Sequence, residues 1–195
     1  MIIIKIIVGI TGASGSIYSV RLLEELLSSK IEVHLIITKT GEKVLKFETS
    51  YDVLNLKKHL KSFGDKLIIH DIDDIFACVA SGSFKADAMV IIPCSMSTLA
   101  EISSGITKNL LTRASDVCLK ERRKLIIVPR ETPLNNIHLS NMLKLSEAGA
   151  IILPAAPGFY YSPKSIDDMV NFIIGKVFDL LEIENKLFTK WGETK

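Results

Sequence analysis

MIIIKIIVGITGASGSIYSVRLLEELLS, residues 1–28, points to the fold class. The apolar run Ile2 to Ile10 carries Lys5 inside it and is too short to span a bilayer, and its layout is not that of a cleavable leader. It reads as a buried strand. The run passes directly into Gly9-Ile-Thr-Gly-Ala-Ser-Gly-Ser16, and a helix is expected from Ser16 to Ser28. A strand that turns through glycines into a helix is the opening of a βαβ unit.

The same alternation continues along the chain. Further strands are expected at Glu32–Ile37, Lys66–Ile69, Ala88–Ile92, Leu125–Val128 and Ala150–Leu153. Helices are expected near Ser97–Ser104, Lys108–Arg123 and Ile137–Ala148, with a last one from Ser165 to about Glu182 opened by a Ser165/Asp168 capping box. Tyr51–Asp65 is the least readable part and has room for a short helix. The pattern predicts an α/β fold: one Rossmann-like (flavodoxin-like) domain over residues 1–195, a parallel sheet with helices on both faces. At 195 residues, folding should bury roughly 70% of the unfolded surface, so no disulfide or metal staple is required. The 48% hydrophobic content asks for a doubly covered sheet and a subunit interface to hide it.

Charge and cysteine usage narrow the function classes. Lys and Arg number 24 against 22 Asp and Glu, a net +2, too balanced for a protein that grips nucleic acid or an anionic membrane. Cys78, Cys94 and Cys118 are odd in number and widely spaced, which suits a reducing compartment and a cytoplasmic location. His34, His59, His70 and His138 form no HExxH or CxxC-type pattern, so the sequence supports no zinc site.

Ligands of open parallel sheets bind beyond the carboxyl ends of the strands, and the unusual residues collect there. Thr38-Lys39-Thr40 follows the second strand, Pro93-Cys-Ser-Met-Ser-Thr98 the fourth, Pro129-Arg-Glu-Thr-Pro133 the fifth and Pro154-Ala-Ala-Pro-Gly-Phe-Tyr-Tyr161 the sixth. The six prolines fall in and just beyond the last three loops. Gly12 and Gly15 let backbone approach a phosphate, while Ser14 and Ser16 offer hydroxyls at a helix amino terminus; the plain alternative is a tight strand-to-helix turn. A dinucleotide fits poorly, because GxGxxG would need glycine at Thr11 and no acidic ribose anchor follows the second strand. A mononucleotide suits the Ser/Thr-rich loops better. Ser95, Ser97 and Thr98 either donate to such a ligand or simply cap their helix.

Lys108, Arg113, Lys120, Arg122, Arg123, Lys124 and Arg130 cluster against Asp116, Glu121 and Glu131. Arg113 and Lys120, seven apart, share a helix face, Arg122 to Lys124 are expected to solvate the helix end, and Arg130 follows a buried strand where its fork can reach a phosphate. Spacing alone promotes neither Glu48 nor Tyr160: the first would normally be solvated, and the second can simply cap the core.

GITGASGSIYSVRLLEEL, SGSFKADAMVIIPCSMSTLA, NLLTRASDVCLKERRKLIIVPRETP, IHLSNMLKLSEAGAIILPAAPGFY and KWGE, in that order, resemble the flavin prenyltransferase family of UbiX type over almost the whole chain. The resemblance implies a metal-independent homo-oligomer, commonly a dodecamer, that joins a dimethylallyl group from dimethylallyl phosphate to N5 and C6 of reduced FMN. The prenylated FMN would serve UbiD-type decarboxylases, in ubiquinone synthesis or on aromatic acids. It further implies FMN on Gly12, Ala13, Ser14, Thr38, Ser95, Met96, Ser97, Thr98 and Arg130. Dimethylallyl phosphate would meet Tyr160 and Lys176, with Arg113, Lys120, Arg130 and Glu131 completing its phosphate shell. Ser14, Glu48, Tyr160 and Glu131 are the implied catalytic residues, Glu48 beside the prenyl group and Ser14 near the flavin N5. Thr38 stands where many members have Ser and Lys176 where others have Arg, which keeps the donors but loses the fork at Lys176.

Cleaving an allylic C–O bond builds charge on the leaving phosphate, which Arg113, Lys120, Arg130 and Lys176 suit, and the second bond needs a proton moved by Glu48 or by the phosphate itself. Two other readings stand beside this one. A flavin-dependent cysteine decarboxylase shares the glycine loop but usually carries a His base after the second strand, and Thr38 to Glu48 holds no His. A non-catalytic FMN carrier would bind flavin and transfer nothing.

Overall fold

The computed structural model describes residues 4–192. Two compact units divide the chain, one ending at Pro154 and the other beginning at Ala155. In the first, six strands form one parallel sheet: β1 (Lys5–Ile10), β2 (Glu32–Ile37), β3 (Leu67–His70), β4 (Ala88–Cys94), β5 (Lys124–Pro129) and β6 (Ile151–Ile152), in the order β3-β2-β1-β4-β5-β6. Between them run α1 (Ser16–Ser28), α2 (Lys39–Thr49), α3 (Val53–Leu60), α4 (Met96–Ser103), α5 (Leu110–Lys120) and α6 (Asn136–Glu147).

Apolar residues explain the central strands. All seven residues of β4 are buried, as are the last five of β1, β2 and β5. Side chains of a strand point alternately to opposite faces, so unbroken burial means that both faces are covered, the condition under which parallel sheets occur. The expected strand at Ile2–Ile10 is seen from Lys5; Ile2 and Ile3 lie outside the described residues. The fourth and fifth strands run farther than expected, taking in Pro93, Cys94 and Pro129. The parallel order reverses its direction of growth between β1 and β4, which makes the crevice beyond those two strands the topological switch point.

Of the helices, α2 is not among those bounded from sequence, whereas α3 fills the room for a short helix within Tyr51–Asp65. Only Gly41 and Leu45 of α2 are buried, so its apolar spacing is faint. Arg123, expected to be solvated, donates to the carbonyls of Gly82 and Phe84, both at 2.6 Å, and so fastens the loop before β4.

The second unit centres on α7 (Ile166–Leu180), whose capping box forms as expected: Ser165 Oγ accepts from the Asp168 N–H at 3.1 Å, and Asp168 Oδ2 accepts from the Ser165 N–H at 3.0 Å. Tyr161 stacks on Phe172 at 5.4 Å, and Phe172 meets Phe188 edge-on at 4.9 Å. Gly175 admits the Phe188 ring, since a Cβ there would come within 2.4 Å of it. Of the KWGE segment, Glu193 lies outside the described residues.

Candidate flavin site at the switch point

Three strand-to-helix loops meet the carboxyl edge of the sheet: β1 to α1, β2 to α2, and β4 to α4. A helix amino terminus leaves backbone N–H groups without partners, so each is a place where an acceptor is favoured. Thr38 caps α2, its Oγ1 accepting from the Gly41 N–H at 3.0 Å. Gly41 seats that helix against β1, for a Cβ would lie 2.8 Å from the Ile10 carbonyl oxygen. Ser95 caps α4, accepting from the Thr98 N–H at 3.3 Å and donating to Thr98 Oγ1 at 3.1 Å. The capping reading of Ser95 and Thr98 is therefore realised. Met96 is buried, whereas Ser97 is exposed.

α1 differs from the other two. Its N-cap is Gly15, in the left-handed region at φ 113°, and it has no side chain with which to cap. The vacant donors are taken by Glu48, thirty-odd residues away on α2: its Oε2 accepts from the N–H groups of Gly15 at 2.9 Å and Ser16 at 2.8 Å. Partial burial alone would raise the Glu48 pKa. The Ser14 hydroxyl and the two N–H groups outweigh it and hold the carboxyl below its ordinary range. The Ser16 hydroxyl also favours the charged form, yet it makes no bond of standard geometry, and its Oγ is buried without a hydrogen-bond partner.

Arg130 closes the loop from the side, its Nε donating to the Ser14 carbonyl at 3.0 Å and its own N–H to the Cys94 carbonyl at 3.3 Å. Burial raises the Tyr18 phenol pKa, an effect that the nearby Arg130 charge offsets in part. Beneath these groups lies Thr11, fully buried and absent from the sequence-based candidates. Its Oγ1 donates to the Pro93 carbonyl and accepts from the Ser95 N–H, each at 2.8 Å, tying the loops after β1 and β4 across the switch point. No local signal marks this role, because both partners are more than eighty residues away.

The first unit thus brings together Gly12, Ala13, Ser14, Glu48, Thr38, the Ser95–Thr98 turn and Arg130. Gly12 is needed for that approach, since a Cβ would meet Thr40 Cγ2 at 2.5 Å. Glu131 follows Arg130 and accepts from the Thr132 N–H at 3.1 Å. Arg113 and Lys120 take other partners: Arg113 bonds the Ala80 carbonyl at 3.2 Å and Asp116 at 2.9 Å, and Lys120 pairs with Glu121. In the second unit, Tyr160 is 41% exposed and meets the Trp191 ring edge-on at 5.2 Å, while Lys176 lies over the rings of Phe188 and Phe172 at 5.5 and 5.9 Å.

The donor set fits a phosphorylated ligand. The amino terminus of α1 already holds one anion, an unpartnered buried hydroxyl stands beside it, and two glycines let backbone approach closely.

Comparison with known proteins gives the same direction. The flavoprotein family model matches residues 2–178. The chain is 54% identical over 190 residues to the flavin prenyltransferase UbiX of Alkalihalophilus pseudofirmus, covering 95% of each chain. It superposes with TM-score 0.92 and 41% identity on AnUbiX (PadA1) in complex with FMN and dimethylallyl pyrophosphate, over 100% of both chains. A dodecameric FMN-dependent UbiX-like decarboxylase from Escherichia coli O157:H7 aligns with TM-score 0.90 and 40% identity, over 97% of this chain and 100% of that one. With the family model spanning both the glycine loop and most of α7, the chain belongs to the flavoprotein family and, within it, to the UbiX-type flavin prenyltransferases.

Proposed function

We propose that this chain, acting as one functional domain over residues 1–195, joins a dimethylallyl group from dimethylallyl phosphate to N5 and C6 of reduced FMN. The observation that carries this reading is the meeting of the α1 amino terminus, Glu48 and Arg130 at the β1/β4 switch point. FMN would be held by Gly12, Ala13, Ser14, Thr38, the Ser95–Thr98 turn and Arg130. When bound in reduced form it supplies two nucleophilic ring positions.

The chain's own residues then have distinct work. Arg130, with Glu131 beside it, would neutralise charge on the leaving phosphate, and fixed cations of that kind lower the barrier to C–O cleavage. Tyr160 and Lys176 would bind dimethylallyl phosphate. Arg113 and Lys120, held by their own neighbours within one chain, would contribute from a second copy in a homo-oligomer, a dodecamer as in the Escherichia coli relative. Ser14 positions Glu48 through its hydroxyl. A carboxylate held by two N–H groups is a weak proton acceptor, so Glu48 would have to leave Gly15 and Ser16 before it takes a proton. The product would pass to a UbiD-type decarboxylase, in the cytoplasm, a location supported by the free Cys78, Cys94 and Cys118. Among the described residues, no helix is long and apolar enough to cross a membrane.

The test is anaerobic incubation of the protein with reduced FMN and dimethylallyl phosphate, followed by mass spectrometry of the released flavin. A mass gain of one prenyl group is expected. Unaltered FMN, with the protein folded and flavin bound, would leave only a carrier.

A further inference from the structure

His34 of β2 is a buried imidazole flanked by Val33 and Leu35, and both of its nitrogens are engaged. Nε2 lies 3.0 Å from Glu32 Oε1, and Nδ1 lies 2.8 Å from His70 Nε2 at the end of β3. A carboxylate only accepts, so the Glu32 contact assigns the His34 proton to Nε2 and leaves Nδ1 as a lone pair. Glu32 is itself held by Lys5 at 3.2 Å, and the edge of Phe84 closes on the His34 ring at 4.7 Å. Cys78, at the start of the 3-10 turn Cys78–Ala80, completes the group. Its Sγ and the two imidazole nitrogens all lie within 4.8 Å of one another.

We propose that His34 Nδ1, His70 Nε2 and Cys78 Sγ form a binding site for a borderline-soft divalent transition-metal ion of the zinc class. Two imidazoles and a thiolate are the ligands such ions prefer. Glu32 supplies the outer-shell carboxylate that fixes the tautomer and ring orientation of a ligating histidine. Tetrahedral coordination separates ligand atoms by about 3.3 Å, so His70 must retreat slightly and Cys78 move inward. Cys78 is exposed and can do so. The protons balance: His70 shifts its proton from Nε2 to Nδ1, the Cys78 thiol releases one to solvent, and three metal–ligand bonds replace one hydrogen bond. Water fills the fourth position. None of these residues belongs to the glycine loop, so the ion would be a clip joining β2, β3 and the 3-10 turn, outside the transfer reaction. The sequence conceals the site because His34 and His70 are brought together by parallel strand pairing, thirty-six residues apart.

The test uses the intact chain, freed of metal with chelator and titrated with Co²⁺. One equivalent should bind with a thiolate-to-cobalt charge-transfer band, and Zn²⁺ should displace it. Cys78→Ser should abolish the band while leaving the metal-free melting temperature unchanged. Glu32→Gln should keep it with roughly 10-fold weaker affinity. Should Cys78→Ser fold poorly, alkylation of Cys78 in the native chain serves instead. The other two thiols are buried, Cys118 with its pKa raised to about 11, so neither competes. Absence of stoichiometric binding, or a band that survives loss of the Cys78 thiol, overturns the proposal.

Discussion

Gly15 and Glu48 show how much of the site rests on single residues. At φ 113°, any side chain at Gly15 adopts a backbone state that costs about 1–2 kcal/mol, and a Cβ would also press on the Tyr18 ring at 3.0 Å. Gly15→Ala should lower stability by that amount in urea denaturation and weaken FMN binding at the same time. An unchanged denaturation midpoint would show that the left-handed turn is not needed. Glu48→Gln keeps an oxygen for the α1 donors but loses the charge, so it should retain FMN and stall prenyl transfer; full turnover would remove Glu48 from the mechanism. The same pair of proteins carries a pH prediction. Folded Glu48 is more acidic than an unfolded glutamate, so its contribution is present above the unfolded value and is lost as pH falls through the folded one. The stability gap between wild type and Glu48→Gln should therefore close on acidification. A gap that persists at low pH would mean that charge at the helix terminus contributes nothing.

At the scale of elements, the three loops at the sheet edge are coupled through one buried hydroxyl. Thr11→Val preserves the shape of the side chain but leaves the Ser95 N–H without its acceptor, so it should cost about 1–3 kcal/mol, measured by thermal unfolding. A cost near zero would mean that water or a shift of α4 replaces the bond. The sequence alone made the strand-to-helix alternation legible because glycines and capping residues punctuate it, and Ser16–Ser28 and Glu32–Ile37 are found as read. It marked the stretch around Glu48 as helical and half-polar without bounding α2, because that helix buries so little, and α2 is the element that delivers Glu48. The place of Arg130 beside the glycine loop follows from its position after a buried strand, whereas Thr11 and Arg123 act through partners set by tertiary structure and carry no local mark. Glu48 itself was nominated by family resemblance, not by any pattern of spacing.

A single chain leaves apolar surface uncovered. α6 buries only Leu145, while Ile137, Leu139 and Leu143 are 69%, 50% and 61% exposed. A helix that is apolar on more than its core-facing stripe needs a second cover, and contiguous patches of this kind mark subunit interfaces. An oligomer also bears on the proposed catalysis, because Arg113 and Lys120 are paired locally within one chain and, in that proposal, meet the substrate phosphate from a neighbouring copy. Sedimentation should therefore find the wild type as a large assembly, and Leu143→Glu, which places a charge in the proposed interface, should shift it towards single chains. Prenyl transfer should fall with that dissociation while each chain remains folded by circular dichroism. A wild type that sediments as one chain and is fully active would show that every residue of the site comes from the same copy.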